Sequence, residues 1–552
     1  MIIDNPNNKE TTDSSVKREV LTLARNSLYS FLNSYGTFIF SIITFFFMAR
    51  LISDVEWGYL ILANTYILII LLILSFLPPG LGPSLNYYFP RYIVQNDINQ
   101  LKSHIKYVIY IKVLFIIPVF FISIFIFVGF TDLFSITLQN HTNLLLLLSP
   151  IIIITGLDSI LIFINKGLNL FKTVFILLLV RYAFNISALV FCIFVLNTAD
   201  LEVIALINVL SLLLPFLLNF LVVLLKYIRF KDDDQKQFSI KTHLRNTIRY
   251  GINIKMGQFF SEIWAHIQPL SIGTFSTSNF VTGFSIARNY SLFSSSMTIS
   301  FVSPLTISFS RLNVKNKLKQ IENLYNVFLI YSLFLLLLIT GILYFCTDIF
   351  LVFVYGQSYL DFSLLLKIML FTIIFIGIGS PYESFMLAIG KSKWIFRYRF
   401  LAFLIRLPLF LFFLINFDLI WALVSIVISN LIITGIALIL SIKIGRIRLN
   451  LKKIFLMLAS FFLALIIAII FDNVILYEFN FLILQSINLS SLKFINLWTI
   501  GLFLLTFFLL LFFTKMFSVK DIEYLEDLLS KETKTQALLK KGLKILKKLI
   551  RN

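Results

Sequence analysis

Nine ionisable side chains lie inside long apolar segments of this chain, where they could bind or move a charged ligand. Each costs about 2.5–3.5 kcal/mol near the centre of a bilayer, so most of them must face protein or water. Cations outnumber acids, which favours an anionic ligand, and the planar donor fork of arginine matches phosphate. The six cations and three acids are Lys112, Arg181, Lys255, Arg288, Lys367, Arg406, Asp158, Glu262 and Glu383.

The apolar segments themselves are membrane spans. The 552 residues are 59% hydrophobic and 13% charged, whereas soluble domains have about 45–50% apolar and about 25% charged residues. This composition excludes soluble enzymes, secreted disulfide scaffolds and nucleic-acid binders. A spanning helix needs about 20 mostly apolar residues. The segments that qualify are 28–50, 59–79, 107–130, 143–165, 173–196, 202–226, 250–273, 281–305, 324–346, 363–389, 395–416, 418–442, 453–472 and 494–515. The sequence therefore predicts an all-α polytopic membrane protein with 14 transmembrane helices.

The distribution of Lys and Arg between the loops predicts the orientation of these spans. Outside the six buried cations, 39 Lys and Arg fall on the side shared with both termini, and only Arg50 and Lys493 fall on the other. Cytoplasmic loops carry such an excess. We therefore expect a multi-pass protein of the cell (plasma) membrane with both termini in the cytoplasm. The net charge of +20 is then a topology signal, and no nucleic-acid partner is expected.

The chain contains an internal duplication. One offset of 225 residues relates Gly58 to Gly283, Pro79 to Pro304, Asp158 to Glu383, Lys166 to Lys391 and Arg181 to Arg406. An offset of six spans preserves the direction across the membrane, so the repeats are parallel. This pattern predicts two six-helix lobes with a substrate path between them, and two extra helices at the C-terminal end.

The duplication and the span boundaries predict six segments. These are a cytoplasmic N-terminal segment (1–27), an N-lobe (28–226), a cytoplasmic inter-lobe loop (227–249), a C-lobe (250–442), helices 13 and 14 (453–515) and a basic tail (516–552). In the tail, apolar residues recur at helical spacing with lysines between them. Such a helix is suited to lie on an anionic leaflet, so membrane lipids are an expected partner.

The charged residues leave alternatives open. Asp158 with Arg181, and Glu383 with Arg406, predict either an ion pair inside each lobe or an arginine that binds an anion beside an acid that orients it. The three lysines lie about one and a half turns from a predicted helix end, so they either reach the interface or face a cavity. The three acids either balance the arginines or couple transport to H⁺ or Na⁺.

Four short motifs resemble those of a known family. They are Ala49–Tyr59 in the first outer loop, Gly283–Ala287 at the start of span eight, Val354–Tyr359 after span nine and Leu387–Lys391 after span ten. In order and spacing they resemble the polysaccharide flippases (oligosaccharide-lipid translocases) of the multidrug/oligosaccharidyl-lipid/polysaccharide exporter superfamily. One departure is that span seven has Gln268-Pro269 where such proteins often carry an Asp, which puts a cation site there in doubt.

The resemblance implies a flippase that moves a polyprenyl-(pyro)phosphate-linked oligosaccharide from the cytoplasmic to the outer leaflet by alternating access of its lobes, for surface polysaccharide or glycan assembly. Under this hypothesis the three arginines hold the phosphates, and the three lysines add to the positive potential of the cavity. Glu262, Asp158 and Glu383 then serve charge balance or ion coupling.

Other functions stay open at this point. Within the same superfamily, the alternatives are a cation-coupled multidrug exporter and a flippase for the peptidoglycan lipid precursor. A membrane glycosyltransferase is disfavoured because the outer loops are short and hold no acidic cluster. The chain has no P-loop and no HExxH or CxxC motif, so we expect no enzyme activity, catalytic residue, metal or cofactor.

Overall fold

The computed structural model describes most of the predicted membrane region. The described residues are 28–29, 32–33, 35–79, 81–94, 97–134, 136–196, 200–229, 240–293, 305, 309, 318–389, 391–472 and 497–514. The predicted N-terminal segment and basic tail lie outside them, as does part of the inter-lobe loop. Within the described ranges the regular elements are helices, and the only β-type contact is an isolated bridge between Phe76 and Pro79.

The first compact unit extends to Ser285 and includes Arg399–Phe403. Its helices are α1 (Tyr35–Met48), α2 (Asp54–Leu74), α3 (Leu81–Val94), α4 (Ile98–Gly129), α5 (Asn143–Leu148), α6 (Pro150–Gly167), α7 (Phe171–Phe191), α8 (Leu201–Arg229) and α9 (Ile240–Phe275). Helix α10 (278–293) begins in this unit. Short 3₁₀ turns at Thr131–Leu133 and Ile136–His141 precede α5, and a π-helical turn, Cys192–Leu196, extends α7.

The second compact unit contains the other helices. They are α11 (Leu318–Val354), α12 (Ser363–Ala388), α13 (Ser392–Asn416, apart from the segment assigned to the first unit), α14 (Leu419–Lys443), α15 (Leu451–Phe471) and α16 (Leu497–Phe513). The two extra C-terminal helices, α15 and α16, pack on α11, and a Cβ at Gly341 on α11 would collide with the Phe503 ring of α16.

The predicted spans are confirmed as helices. Ten described helices are long and apolar enough to cross a membrane, and Tyr35–Met48 and Trp498–Phe513 are shorter apolar helices. Predicted span seven (250–273) lies within α9, and predicted span eight (281–305) is described as helix α10 up to residue 293. A helix satisfies its backbone hydrogen bonds internally, which is what hydrocarbon requires. The chain is thus an all-α, multi-pass membrane protein.

The unit boundary and the predicted lobe boundary describe different properties. Packing places α9 with the first six spans, because it contacts α2 and α3. The duplication instead makes span seven the first helix of the second repeat. The lobe boundaries therefore stay a prediction about sequence repeats.

The first outer-loop motif has a local structural role. Ser53 caps α2 and forms a capping box with Glu56, which satisfies backbone N–H groups that the helix cannot. Beyond it, a Cβ at Gly58 would collide with the carbonyl oxygen of Ser278. The hydroxyl of Thr282 donates to the carbonyl of Asp54 at 2.6 Å. Glycine at this position therefore permits the close approach of α2 and the start of α10.

The motif after span nine forms the turn between α11 and α12. Gly356 has φ +106°, a conformation that favours glycine. The rings of Tyr355 and Tyr359 lie 5.6 Å apart, and both side chains are buried. Burial raises the pKa of Tyr355, with a further contribution from Tyr359, so this turn presents neutral phenols.

Candidate functional site

A helical interruption follows the second span, α2, and separates it from α3. Helix α2 ends at Leu74, and α3 begins only at Leu81, after Pro78-Pro79-Gly80. Both halves pack along α6 in order: Leu71 lies beside Gly156, and a Cβ at Gly82 would collide with the Phe163 ring. The sequence placed a loop where α3 lies. Proline and glycine end α2, and the apolar residues that follow them form α3, which packs against the same helix, α6.

Lys112 lies at this interruption. Its Nζ donates to the carbonyl oxygen of Leu74 at 2.7 Å, and the side chain is only 5% exposed. The last carbonyls of a helix have no intrahelical donor and carry partial negative charge. Lys112 therefore adds a charged donor at the C-terminal end of α2, where the N–H of Leu77 also donates to the Leu74 carbonyl.

Lys255 on α9 brings a second positive charge to the same region. It lies within electrostatic range of Lys112, and one turn further along, Phe259 contacts Phe76 of the interruption at 4.9 Å. The prediction that both lysines lie near helix ends is wrong. Helices α4 and α9 begin at Ile98 and Ile240, because each continues past the apolar segment that the sequence defines.

Asp158 is bound by amides. Asn219 on α8 donates from Nδ2 to Oδ1 of Asp158 at 2.6 Å, and its own oxygen accepts from Nδ2 of Asn165 at 2.6 Å. Asn165 and Asn219 are 0% and 1% exposed. A chain of three polar side chains therefore joins α6 to α8 inside the first unit.

Arg181 on α7 interacts with Asp158 through its charge, without an ion-pair contact. The charge of Arg181 interacts electrostatically with the Asp158 carboxylate. The guanidinium carbon of Arg181 lies 5.5 Å from the centre of the Tyr182 ring. Among the described residues, no ion pair joins Arg181 to an acid. The interpretation of Asp158 and Arg181 as an interhelical ion pair is therefore not supported by the geometry.

The second unit contains the corresponding residues with a different partner. Arg406 on α13 donates from Nε and a terminal nitrogen to Oδ1 of Asn430 on α14, at 3.1 and 2.7 Å. Glu383 on α12 interacts with it electrostatically. No ion pair between Glu383 and Arg406 occurs in the described part of the chain. A neutral amide thus orients Arg406 and leaves its charge uncompensated at contact distance.

Lys367 belongs to a separate contact at the other end of the second unit. Its Nζ lies 3.1 Å from Oδ2 of Asp348, and Ser363 donates to the same carboxylate. The Nζ also lies 5.8 Å from the ring centre of Tyr344. These contacts join α11 to α12 near the turn between them, so Lys367 is not brought together with the other cations of its unit.

The remaining predicted residues are placed individually. Arg288 on α10 is half-buried, and its carbonyl accepts from the Ser291 hydroxyl at 2.7 Å. Glu262 on α9 is half-buried two turns beyond Lys255, and Gln268 on the same helix is buried. Over the described ranges no three His, Cys, Asp or Glu side chains lie close enough to hold a metal ion.

Sequence reasoning missed the three asparagines that bind these charges. Asn165, Asn219 and Asn430 lie inside apolar spans, where an amide also needs a hydrogen-bond partner. Their position inside apolar spans is therefore a usable signal, although an amide carries no charge. The charged group that each amide binds depends on how the helices are rotated relative to each other.

A profile described as "Polysaccharide biosynthesis protein" matches residues 23–307, which is just over half of the chain. The chain belongs to the polysaccharide biosynthesis protein family. This confirms the resemblance drawn from the motifs. No curated protein sequence matches the chain significantly.

Solved structures of two kinds share the fold. A lipid II flippase MurJ in an inward closed conformation is 17% identical, with a TM-score of 0.65, covering 88% of this chain and 97% of that one. An inward-facing multidrug resistance MATE transporter of the MOP superfamily is 13% identical, with a TM-score of 0.63 and coverage of 73% and 93%. A mutant of the Vibrio cholerae MATE transporter VcmN is 14% identical, with a TM-score of 0.52 and coverage of 79% and 98%. The fold is thus that of MOP-superfamily transporters.

Proposed function

We propose that this family member is a flippase that moves a polyprenyl-(pyro)phosphate-linked oligosaccharide from the cytoplasmic to the outer leaflet by alternating access. The observation that carries the proposal is the neutral partner of Arg406. Asn430 orients the guanidinium with two hydrogen bonds to one oxygen. A carboxylate in that place would cancel the charge, whereas an amide leaves it available for phosphate.

The first unit supports the same proposal. Asn219 donates a hydrogen bond to Asp158, so the acid has a hydrogen-bond partner other than Arg181. Lys112 and Lys255 add positive charge at the interruption that follows span two. A bulky anionic head group is the kind of ligand that these charges favour.

The comparisons bear on the choice of substrate class. One similar structure is a lipid II flippase, which makes a lipid-linked substrate the natural assignment for this chain. Another is a multidrug transporter, and for this chain that alternative predicts an acidic site. Among the described residues, neither duplicated arginine has an ion pair that would neutralise it, and this favours an anionic substrate over a cationic drug.

Transport in proteoliposomes tests the proposal. Purified protein is reconstituted with a polyprenyl diphosphate oligosaccharide, and exposure of the sugar on the far leaflet is followed without ATP. A cationic dye under a Na⁺ or H⁺ gradient is followed in parallel. We expect sugar-lipid movement that requires the protein. Dye transport without sugar-lipid movement would contradict the proposal and assign the protein to drug export.

A further inference from the structure

The amide chain between α6 and α8 is built to hold a proton. A carboxylate can only accept hydrogen bonds, so ionised Asp158 fixes the direction of both amides. Asn219 must donate to Asp158, and Asn165 must then donate to Asn219. In this arrangement the Oδ1 atom of Asn165 is buried and has no donor in the described part of the chain.

A second arrangement exists when Asp158 carries a proton. The carboxyl group then donates to the oxygen of Asn219, after rotation of both amide groups, those of Asn219 and Asn165, by 180°. The amide nitrogen of Asn219 in turn donates to the oxygen of Asn165, which is the atom left unsatisfied before. The three side chains thus form connected hydrogen bonds in both states, and the states differ by one proton and the direction of the chain.

The charge that faces Asp158 is that of Arg181. Helices α2, α3, α4, α7 and α8 pack against α6, and Arg181 on α7 is the charged group on them whose field reaches Asp158. Other titratable side chains on these helices contact other groups: Lys112 binds Leu74, and His104 packs among Tyr88, Tyr92 and Tyr107. Lys166, on α6 itself, lies two turns beyond Asp158.

We propose that Asp158, with Asn219 and Asn165, forms a proton-binding site linked through Arg181 to the binding of a diphosphate. This inference rests on the proposed function. A diphosphate bound at Arg181 screens the positive charge that favours ionised Asp158. Diphosphate binding therefore promotes protonation of Asp158. By reciprocity, protonation of Asp158 removes a nearby negative charge and tightens diphosphate binding.

Infrared difference spectroscopy of the purified protein tests the proton site without any ligand. The wild-type protein is titrated with acid beside Asp158→Asn, which keeps the side-chain volume. We expect a protonated-carboxyl band in the wild type that is missing from the variant. Identical bands in the two proteins would overturn the proposal. As a second variant, Asn219→Ser removes the amide donor to the carboxylate, so the Asp158 band should appear at higher pH; an unchanged position would overturn the role of the amide chain.

The linkage is tested by adding a short-chain polyprenyl diphosphate to the same proteins. We expect proton uptake on binding, and affinity about tenfold higher at the acidic end of the titration, within the roughly 5–150-fold range usual for coupled sites. Asp158→Asn provides the correction for titration of the phosphate itself and should show neither effect. Wild-type binding without extra proton uptake would overturn the linkage. Absence of diphosphate binding would overturn the proposed function and the linkage together, while the ligand-free carboxyl band would still decide the proton site.

Discussion

The two repeats of this chain hold the same pair of charges with different partners. In the first unit, Asn219 binds the acid, Asp158. In the second, Asn430 binds the base, Arg406. Both asparagines lie on the sixth span of their repeat, but the 225-residue offset does not relate them. The predicted duplication therefore relates the ionisable residues to each other but does not relate the amides that bind them.

This difference explains how two arginines inside a membrane protein can avoid neutralisation. An ion pair at contact distance would satisfy the charges of both partners and leave little attraction for a substrate. An amide partner satisfies the geometry of a charged group without cancelling its charge. In the first unit the amide of Asn219 binds the acid, Asp158, and among the described residues the arginine forms no ion pair with it. In the second unit the amide of Asn430 binds and orients the arginine, Arg406. On this account, the first unit is suited to sense protons and the second to hold an anion.

Removing both arginines is the most damaging change that the comparison predicts. Arg181→Gln with Arg406→Gln removes two charge-assisted contacts of about 1.5 kcal/mol each, so we expect transport of the sugar lipid to fall about 100-fold. Arg397→Gln is the matched control, because Arg397 lies on α13, is exposed and stacks on Trp394 at 4.8 Å. An equal loss in the control would show that α13 tolerates no neutralised arginine.

Lys112 distinguishes the first unit, since the 225-residue offset relates it to Leu337, a fully buried apolar residue. Lys112→Met removes the charged donor to the carbonyl of Leu74, which keeps only the backbone N–H of Leu77. We expect the free energy of unfolding in detergent to fall by about 1–3 kcal/mol. Leu337→Met, which conserves volume, should cost less than about 1.5 kcal/mol. If the lysine variant is as stable as the wild type, the capping role is wrong.

Asn430→Asp tests the role of the neutral partner directly. A carboxylate at this position would pair with Arg406 and compete with the substrate, so we expect transport to fall about tenfold while the protein remains folded. Asn430→Gln serves as the neutral control. Unchanged transport by the aspartate variant would mean that the charge of Arg406 is not used, and the contrast between the units would lose its functional meaning.

Lys367 should show the smallest effect. It is 24% exposed beside Asp348, which is 38% exposed, and such pairs contribute about 0–1 kcal/mol. Lys367→Met should therefore leave transport within about twofold of the wild type and stability within about 1 kcal/mol. A large loss of transport, with stability retained, would contradict this and indicate that Lys367 contacts the substrate.

Much of the fold follows from the sequence because the membrane makes apolarity decisive. Segments of about 20 apolar residues must be helices, and the helices lie where predicted. The helix ends are less predictable: α4 begins at Ile98, whereas the apolar segment begins at residue 107. Polar residues can extend a helix beyond the hydrocarbon layer without leaving an apolar signal. The sequence also does not predict α3, because Pro78-Pro79-Gly80 indicates the end of a helix and not the start of a new one.

The candidate site was predictable as a set of residues but not as a set of contacts. The duplication identified Arg181 and Arg406 from their spacing alone. That Lys367 pairs with Asp348, or that Asn430 rather than Glu383 holds Arg406, depends on the rotation and depth of neighbouring helices. A shift of one residue turns a helical side chain by about 100°, so partners across helices require the structure.

The central claim is that the duplicated arginines keep their charge for a phosphate group. Equilibrium binding of a polyprenyl diphosphate and of the matching polyprenol, to wild type, Arg181→Gln and Arg406→Gln in detergent, tests it most directly. We predict that the wild type binds the diphosphate more tightly than the alcohol, and that each substitution weakens only diphosphate binding, about tenfold. Equal affinity of the wild type for both lipids, or diphosphate binding unchanged in both variants, would contradict the claim.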